Sequence, residues 1–265
     1  MNNLLALLGL IVLIYIGLAL FFYWKQESFL FHPRTTHADF QYDFFYPHNE
    51  LWFDTPNDGR IHGLEFKAEN SKGVVFYLHG NAGSLRDWGW VYKDFVPRGY
   101  DLVLIDYRTY GKSKGRLSEF NLIQDALFVY DAISESYPVE KRIIYGRSLG
   151  TGIAIQLAAK REAKALVLET PYYSIKDLIG RLATFFPLEL MLRYPLKSYQ
   201  YLNSIRYSKY IIHGENDQVV PYQSGLKLFQ SNHLGQIEFV SVPKGQHSDL
   251  SNFNEYKDLL NRVLV

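Results

Sequence analysis

The chain contains no cysteine, which excludes disulfides, thiolate metal sites and a cysteine nucleophile while leaving the compartment open. An excess of charge of one sign is also lacking: 28 Lys and Arg face 27 Asp and Glu, for a formal net charge of +1. Without a basic run or a long single-sign tail there is no electrostatic footprint for nucleic acid. Histidines and carboxylates do not gather at ligand spacing and no His-Glu-x-x-His run occurs, so neither a metal nor another cofactor is expected. Internal repeats and low-complexity tracts are missing too. What remains is a globular composition, 48% hydrophobic and 21% charged, in 265 residues. That length accommodates one large α/β domain, or two small ones, with an ample core.

Charge is missing in one further place. Residues 4–23, LLALLGLIVLIYIGLALFFY, run for twenty positions with none, the length that crosses a hydrocarbon core as a helix. Trp24 and Lys25 follow at once, as interfacial anchors do. A cleaved signal peptide would carry a basic n-region, a shorter apolar stretch and a small-residue cleavage site. Here the run is preceded by Met-Asn-Asn, and Ala19 is followed by Leu20, Phe21 and Phe22. Residues 1–24 therefore read as a single-pass N-terminal transmembrane anchor, with flanking charges too sparse to set its orientation. Residues 25–50 read as a juxtamembrane linker and 51–265 as the folded domain.

Residues 50–68 read as two short strands around the turn Pro56-Asn57-Asp58-Gly59. Apolar strands then alternate with helices. Strands are expected at 73–80, 101–107, 142–146, 165–170, 209–217 and 237–243. Helices are expected over LRDWGWVYKDFVPRG, over 118–136, after Ser148, over PYQSGLKLFQSN and over 252–265. Continuous apolar strands between helices predict a mostly parallel sheet with helices on both faces. Asp125 and Asp131 are expected on a solvated helix face. Residues 171–208 break the rhythm, since the interval is far longer than a strand connection needs. The interval is apolar and aromatic with Pro187 and Pro195 inside it, and reads as a small cap.

The chemistry centres on RIIYGRSLG at 142–150. A serine on a sharp strand-to-helix turn needs glycine two residues before and two after, because side chains there would collide. Gly146 and Gly150 supply that room around Ser148. A serine hydroxyl needs a base and the base an orienting acid. In the strand–turn–helix arrangement these follow in the order Ser, Asp or Glu, His. Of the histidines beyond Ser148, His213 lies in an apolar strand end and His233 in a polar helix end. His247, in PKGQHSDL, follows the last strand and is the expected base. Asp217 in HGENDQVVP is the expected acid, with Glu215 as its rival; Asp249 is too close to His247 in sequence to be its natural partner. An oxyanion needs donors, and the backbone N–H groups of Asn81, in LHGNAG after the first parallel strand, and Leu149 are the expected pair. His79 and Gly80 shape that turn. GNAGS lacks the endings of a phosphate loop or dinucleotide fingerprint. Arg147 takes no role from sequence alone: it fits a surface ion pair or the mouth of the site.

The combination LHGNAGS, DYRTYGKSKG, YGRSLGTGIAIQLA, HGENDQVVP and GQHSDL resembles the α/β-hydrolase superfamily. More narrowly, it is similar to membrane-anchored serine hydrolases of the abhydrolase-domain-containing type, from about Gln26 to the C-terminus. ESFLFHPR matches the segment such proteins carry after their anchor. The resemblance implies an α/β-hydrolase fold preceded by one transmembrane helix, with Ser148 as nucleophile, Asp217 as acid, His247 as base, and Asn81 and Leu149 as oxyanion donors. It implies hydrolysis of carboxylic ester or thioester bonds in a small-molecule, acyl-lipid or acylated substrate. A serine peptidase or amidase is the alternative within enzymes, and a non-catalytic membrane-tethered interaction protein the alternative outside them. One position departs: Thr109 stands where the family's DYRGYG has glycine.

Overall fold

The run GVVFYL forms strand β4 (Gly73–Leu78), every residue of which is buried. Val74, Phe76 and Leu78 join one hydrophobic cluster and Val75 and Tyr77 the other. A strand apolar on both faces must lie inside a sheet covered on both sides, and here it is central. In the computed structural model, which describes residues 2–180 and 185–265, eight strands form one sheet in the order β10-β9-β8-β7-β4-β6-β3-β2. The antiparallel end is the hairpin of β2 (Asn49–Thr55) and β3 (Gly59–Phe66). Its turn uses the left-handed Asn57 and Asp58 (φ 64° and 56°), the geometry a tight hairpin requires. β6 (Tyr100–Ile105), β7 (Arg142–Arg147), β8 (Ala165–Glu169), β9 (Ser208–Gly214) and β10 (Ile237–Val242) complete the parallel part with β4.

The helices cover both faces. α4 (Glu119–Ser134) starts where the Ser118 side chain accepts the Asn121 N–H, a standard N-cap. α5 (Leu149–Ala158) is buried along its whole length, while α9 (Tyr222–Gln230) and α10 (Asn254–Val263) bury one stripe each. The stretch expected as one helix after Ser84 is broken instead. It contains α2 (Leu85–Trp88) and α3 (Tyr92–Phe95), with 3₁₀ turns at Gly89–Val91 and Val96–Arg98. The Phe44 ring presses on Gly89, where an added Cβ would lie 2.7 Å from a ring carbon.

The N-terminal helix α1 runs from Asn2 to Leu30, six residues past the expected boundary. It is long and apolar enough to cross a membrane and is exposed along almost all of that length. The segment after it is not a loose tether. Phe31 is buried, and β1 (His32–Pro33) pairs in parallel with β5 (Ala82–Gly83). Tyr42 and Phe44 bury their rings against His62 and Phe66. The interval expected as a cap holds α6 (Ile175–Ile179), α7 (Leu188–Met191) and α8 (Ser198–Leu202). Residues 181–184 of it lie outside the described residues.

Candidate active site

β7 ends in the bend that its glycines permit. Ser148 takes φ 51° and ψ −119°, a conformation that costs a non-glycine residue on the order of 1–3 kcal/mol and persists only where the surroundings over-determine it. A Cβ on Gly146 would lie 2.7 Å from the Ala154 methyl and the Gly150 carbonyl. One on Gly150 would enter the Leu78 and His79 carbonyls. The Ser148 N–H is tied to the Glu169 carbonyl at 2.9 Å. The turn therefore presses α5 against β4 so closely that only glycine fits, and it presents the serine at the carboxyl edge of the parallel strands.

His247 reaches Ser148 from the loop after β10. Its Nε2 stands 3.0 Å from Ser148 Oγ and its Nδ1 2.7 Å from Asp217 Oδ2. With a proton on Nδ1 donated to the carboxylate, Nε2 keeps a lone pair to accept the serine hydroxyl. Asp217 follows β9, and its Oδ1 accepts the N–H groups of Val219 and Val220, each at 2.8 Å. Burial on its own would raise the Asp217 carboxyl; contacts from His213 and His247 outweigh it and hold the group well below the usual carboxylate range. His213, fully buried at the end of β9, donates to the Val220 carbonyl at 2.9 Å with Nε2 3.4 Å from Asp217. It braces the acid from below. The rivals turn elsewhere: Glu215 and His233 are exposed, and Asp249 accepts the Gln246 N–H at 2.7 Å.

The two expected donors flank this line. Leu149 opens α5. Asn81 sits in the turn after β4, where a Cβ added to Gly80 would lie 3.6 Å from Ser148 Cβ. The peptide that carries the Asn81 N–H is held by its other end, because His79 Nδ1 lies 2.7 Å from the Gly80 carbonyl. In a trans peptide the N–H points opposite the carbonyl, so the buried imidazole sets the direction of the donor. His79 is itself enclosed. Its Nε2 lies 3.5 Å from Asp106, Trp88 stacks on it, and the Tyr107 hydroxyl donates to its carbonyl at 2.7 Å. Tyr110 and the His32 N–H bond the Asn81 carbonyl at 2.6 and 2.8 Å.

Sequence reasoning missed the extent of this support. DYRTYG was legible only as part of a resemblance, yet Asp106, Tyr107 and Tyr110 all hold the Asn81 turn. Thr109, in the glycine position, is exposed and takes φ 75°, so the left-handed backbone is kept without the residue suited to it. Asp125 is not solvated as expected. It is buried in a bidentate pair with the fully buried Arg108, at 2.7 and 2.8 Å, because α4 turns it onto the loop after β6. Asp131 does lie outside, paired with Arg161. Arg147 lies across the back of the bend: it pairs with buried Glu169 at 3.2 Å and covers the Trp88 ring at 5.1 Å, while Tyr145 donates to the same Glu169 at 2.7 Å.

An eight-stranded, mostly parallel sheet with a serine on a strained β7–α5 turn defines an α/β-hydrolase. An esterase from Pyrococcus furiosus superposes with a TM-score of 0.73 over 89% of this chain and 97% of its own, at 20% identity. The family described as serine aminopeptidase, S33, matches residues 69–202, half of the chain. The chain belongs to that family, among the abhydrolase-domain-containing serine hydrolases. "Lysophosphatidylserine lipase ABHD12" of Danio rerio is 35% identical over 206 residues, covering 66% of this chain and 53% of that protein. "Protein bem46" of Schizosaccharomyces pombe is 31% identical over 198 residues, covering 70% and 65%. The chain thus spans about half the length of the lipases it matches.

Proposed function

We propose that the chain is a membrane-anchored serine hydrolase that cleaves carboxylic esters of acyl lipids through an acyl-enzyme. The observation that carries this reading is the line of hydrogen bonds from Asp217 through His247 to a strained Ser148. His247 Nε2 takes the hydroxyl proton as Ser148 Oγ attacks the ester carbonyl. Asp217 keeps the tautomer and stabilises the imidazolium that forms. The charge arriving on the carbonyl oxygen is accepted by the N–H groups of Asn81 and Leu149 and by the positive end of α5. His247 then returns the proton to the departing alcohol. A water molecule, deprotonated by the same nitrogen, releases the acid and restores Ser148.

The lipid class is supported by the lysophosphatidylserine lipase activity for which the ABHD12 relatives are named and by an apolar helix of membrane-spanning length joined directly to the wall of the site. A thioester would react by the same steps. The peptidase reading rests on the description of the matched family, and an amide panel run beside the esters separates the two. The test is Ser148→Ala, assayed on p-nitrophenyl butyrate and on a long-chain lysophospholipid. Turnover falls by about 10⁴-fold or more. Hydrolysis that survives unchanged ends the proposal, and folded wild-type protein that resists fluorophosphonate labelling favours a non-catalytic role.

A further inference from the structure

An apolar hollow lies not on the sheet edge but between α1 and the cap. It measures about 360 Å³ and is lined almost wholly by carbon, including Phe22, Phe29 and Leu30 from α1 and Ile179, Leu188 and Met191 from the cap. The base of the cap is clamped to α1 by polar contacts. Gln26 donates to the Met191 carbonyl at 2.7 Å and accepts the Arg193 N–H at 2.8 Å, and Glu27 holds Arg193 and Tyr194 at 2.6 and 2.7 Å. The tip reaches much further along the helix: Phe186 stacks on Tyr15 at 5.2 Å and meets Phe22 at 5.6 Å. Gln26 lies eleven helical positions beyond Tyr15, about 16 Å of rise, or roughly half a hydrocarbon core. Phe185, whose carbonyl accepts the Tyr15 hydroxyl, is 86% exposed, and Leu190, beside the clamped Met191, is 85% exposed. Such side chains are costly in water and at home in lipid.

Both walls of the hollow continue, along the chain, into segments that hold the proposed oxyanion donors. Leu30 is two residues from His32, whose N–H bonds the Asn81 carbonyl at 2.8 Å. Ile175, in the opposite wall, is three residues from Tyr172, whose hydroxyl bonds the Leu149 carbonyl at 3.1 Å.

We propose that this groove is the acyl-chain site: the cap tip lies in the bilayer beside α1, and a long-chain lipid slides its tail between them, straight from the membrane, to bring its ester to Ser148. This rests on the hydrolase reading above for the ester and on α1 as a membrane span for the direction of access. The polar clamp at Gln26 and Glu27 then stands at the headgroup level, and the hollow runs past it, from Phe22 on the membrane side to Phe29 and Leu30 on the side of the folded domain. A volume of this size falls in the range of small-molecule sites.

The test uses the full chain carrying Ser148→Ala, in phosphatidylcholine vesicles containing a lysophospholipid with a diazirine on its C16 chain. After irradiation, cross-links fall on Phe29, Ile179 and Met191, and Ile179→Trp, which fills the groove, reduces them at least fivefold. Cross-links confined to the outward face of α1 and indifferent to Ile179→Trp overturn the proposal. In the protein with Ser148 intact, Ile179→Trp lowers the ratio of C16-ester to acetyl-ester kcat/KM about tenfold; an unchanged ratio overturns it as well. Fluorophosphonate labelling reports that the variant is folded, and Met191→Trp serves if it is not. A wild-type chain that hydrolyses neither ester sinks the hydrolase reading instead, and cross-linking then decides the groove alone.

Discussion

Two histidine–aspartate pairs stand at the same edge of the sheet, and they differ in what the imidazole meets on its far side. His247, paired with Asp217, keeps 15% of its side chain exposed and turns Nε2 to Ser148. His79 and Asp106 are wholly buried, and the His79 Nδ1 is spent on a backbone carbonyl. On the mechanism proposed above, the same residue types therefore serve two purposes. A base needs a free lone pair that substrate can approach. A buried ring under Trp88 and Tyr107 has none to offer and acts on geometry, aiming the peptide of Asn81. The carboxylates diverge in step. Asp217 is held down by two histidines against the effect of burial, whereas burial pushes Asp106 up and His79 offsets this only in part.

The largest break in the comparison comes from Asp217→Asn. The amide still accepts the Val219 and Val220 N–H groups, so the loop folds, but it forces the wrong His247 tautomer. Turnover of p-nitrophenyl butyrate falls about 10⁴-fold with an unchanged circular dichroism spectrum. A loss under tenfold would remove Asp217 from the proposed triad.

On the other pair, His79→Phe lowers kcat about 100-fold with little change in KM, the signature of one misaimed oxyanion donor. His79→Asn, whose amide nitrogen takes the place of Nδ1, recovers about tenfold of that. A rise in KM with kcat intact would make His79 part of substrate binding instead. Asp106→Asn stays within about tenfold of wild type in turnover, since the buried group acts on His79 and not on substrate.

The pH dependence of stability sharpens the contrast, because the two carboxylates have opposite signs. Asp217, depressed in the fold, contributes stability above about pH 4, lost as acid carries the pH down through its folded value. Asp106, raised in the fold, contributes below about pH 4, and the contribution is lost as the pH climbs through its folded value. Urea melts of the two Asn variants therefore diverge. The deficit of Asp217→Asn closes in acid, and Asp106→Asn gains on wild type from pH 4 to 7. Parallel curves would contradict both assignments. The smallest effect is at Thr109→Gly, which relieves a left-handed threonine in the loop that holds the buried pair and raises stability by about 1 kcal/mol.

The sheet was legible because its central strands β4, β6, β7 and β8 are apolar on both faces. Ser148 was legible because steric room for a bend can only be written as glycine, at 146 and 150. The single helix expected at 85–99 failed because it is interrupted at Gly89, on which a distant ring, Phe44, presses, and turns 3₁₀ again at Pro97. Asp125 failed because helical periodicity does not say which surface a face meets, and Arg108 arrives from another loop.

Local chemistry thus determined a great deal here: an apolar run long enough for a bilayer, a parallel sheet, a bent serine, and Asp217 and His247 at the ends of the two last strands. Those facts depend on neighbours a few residues away. Tertiary structure alone decided that His247 and Ser148, 99 positions apart, meet at 3.0 Å. It also decided that Arg147 braces Glu169, that His79 steers the Asn81 peptide, and that residues 185–194 lie along α1. Each of these joins groups from separate elements, and their distance is set by how the elements pack, which no local pattern encodes.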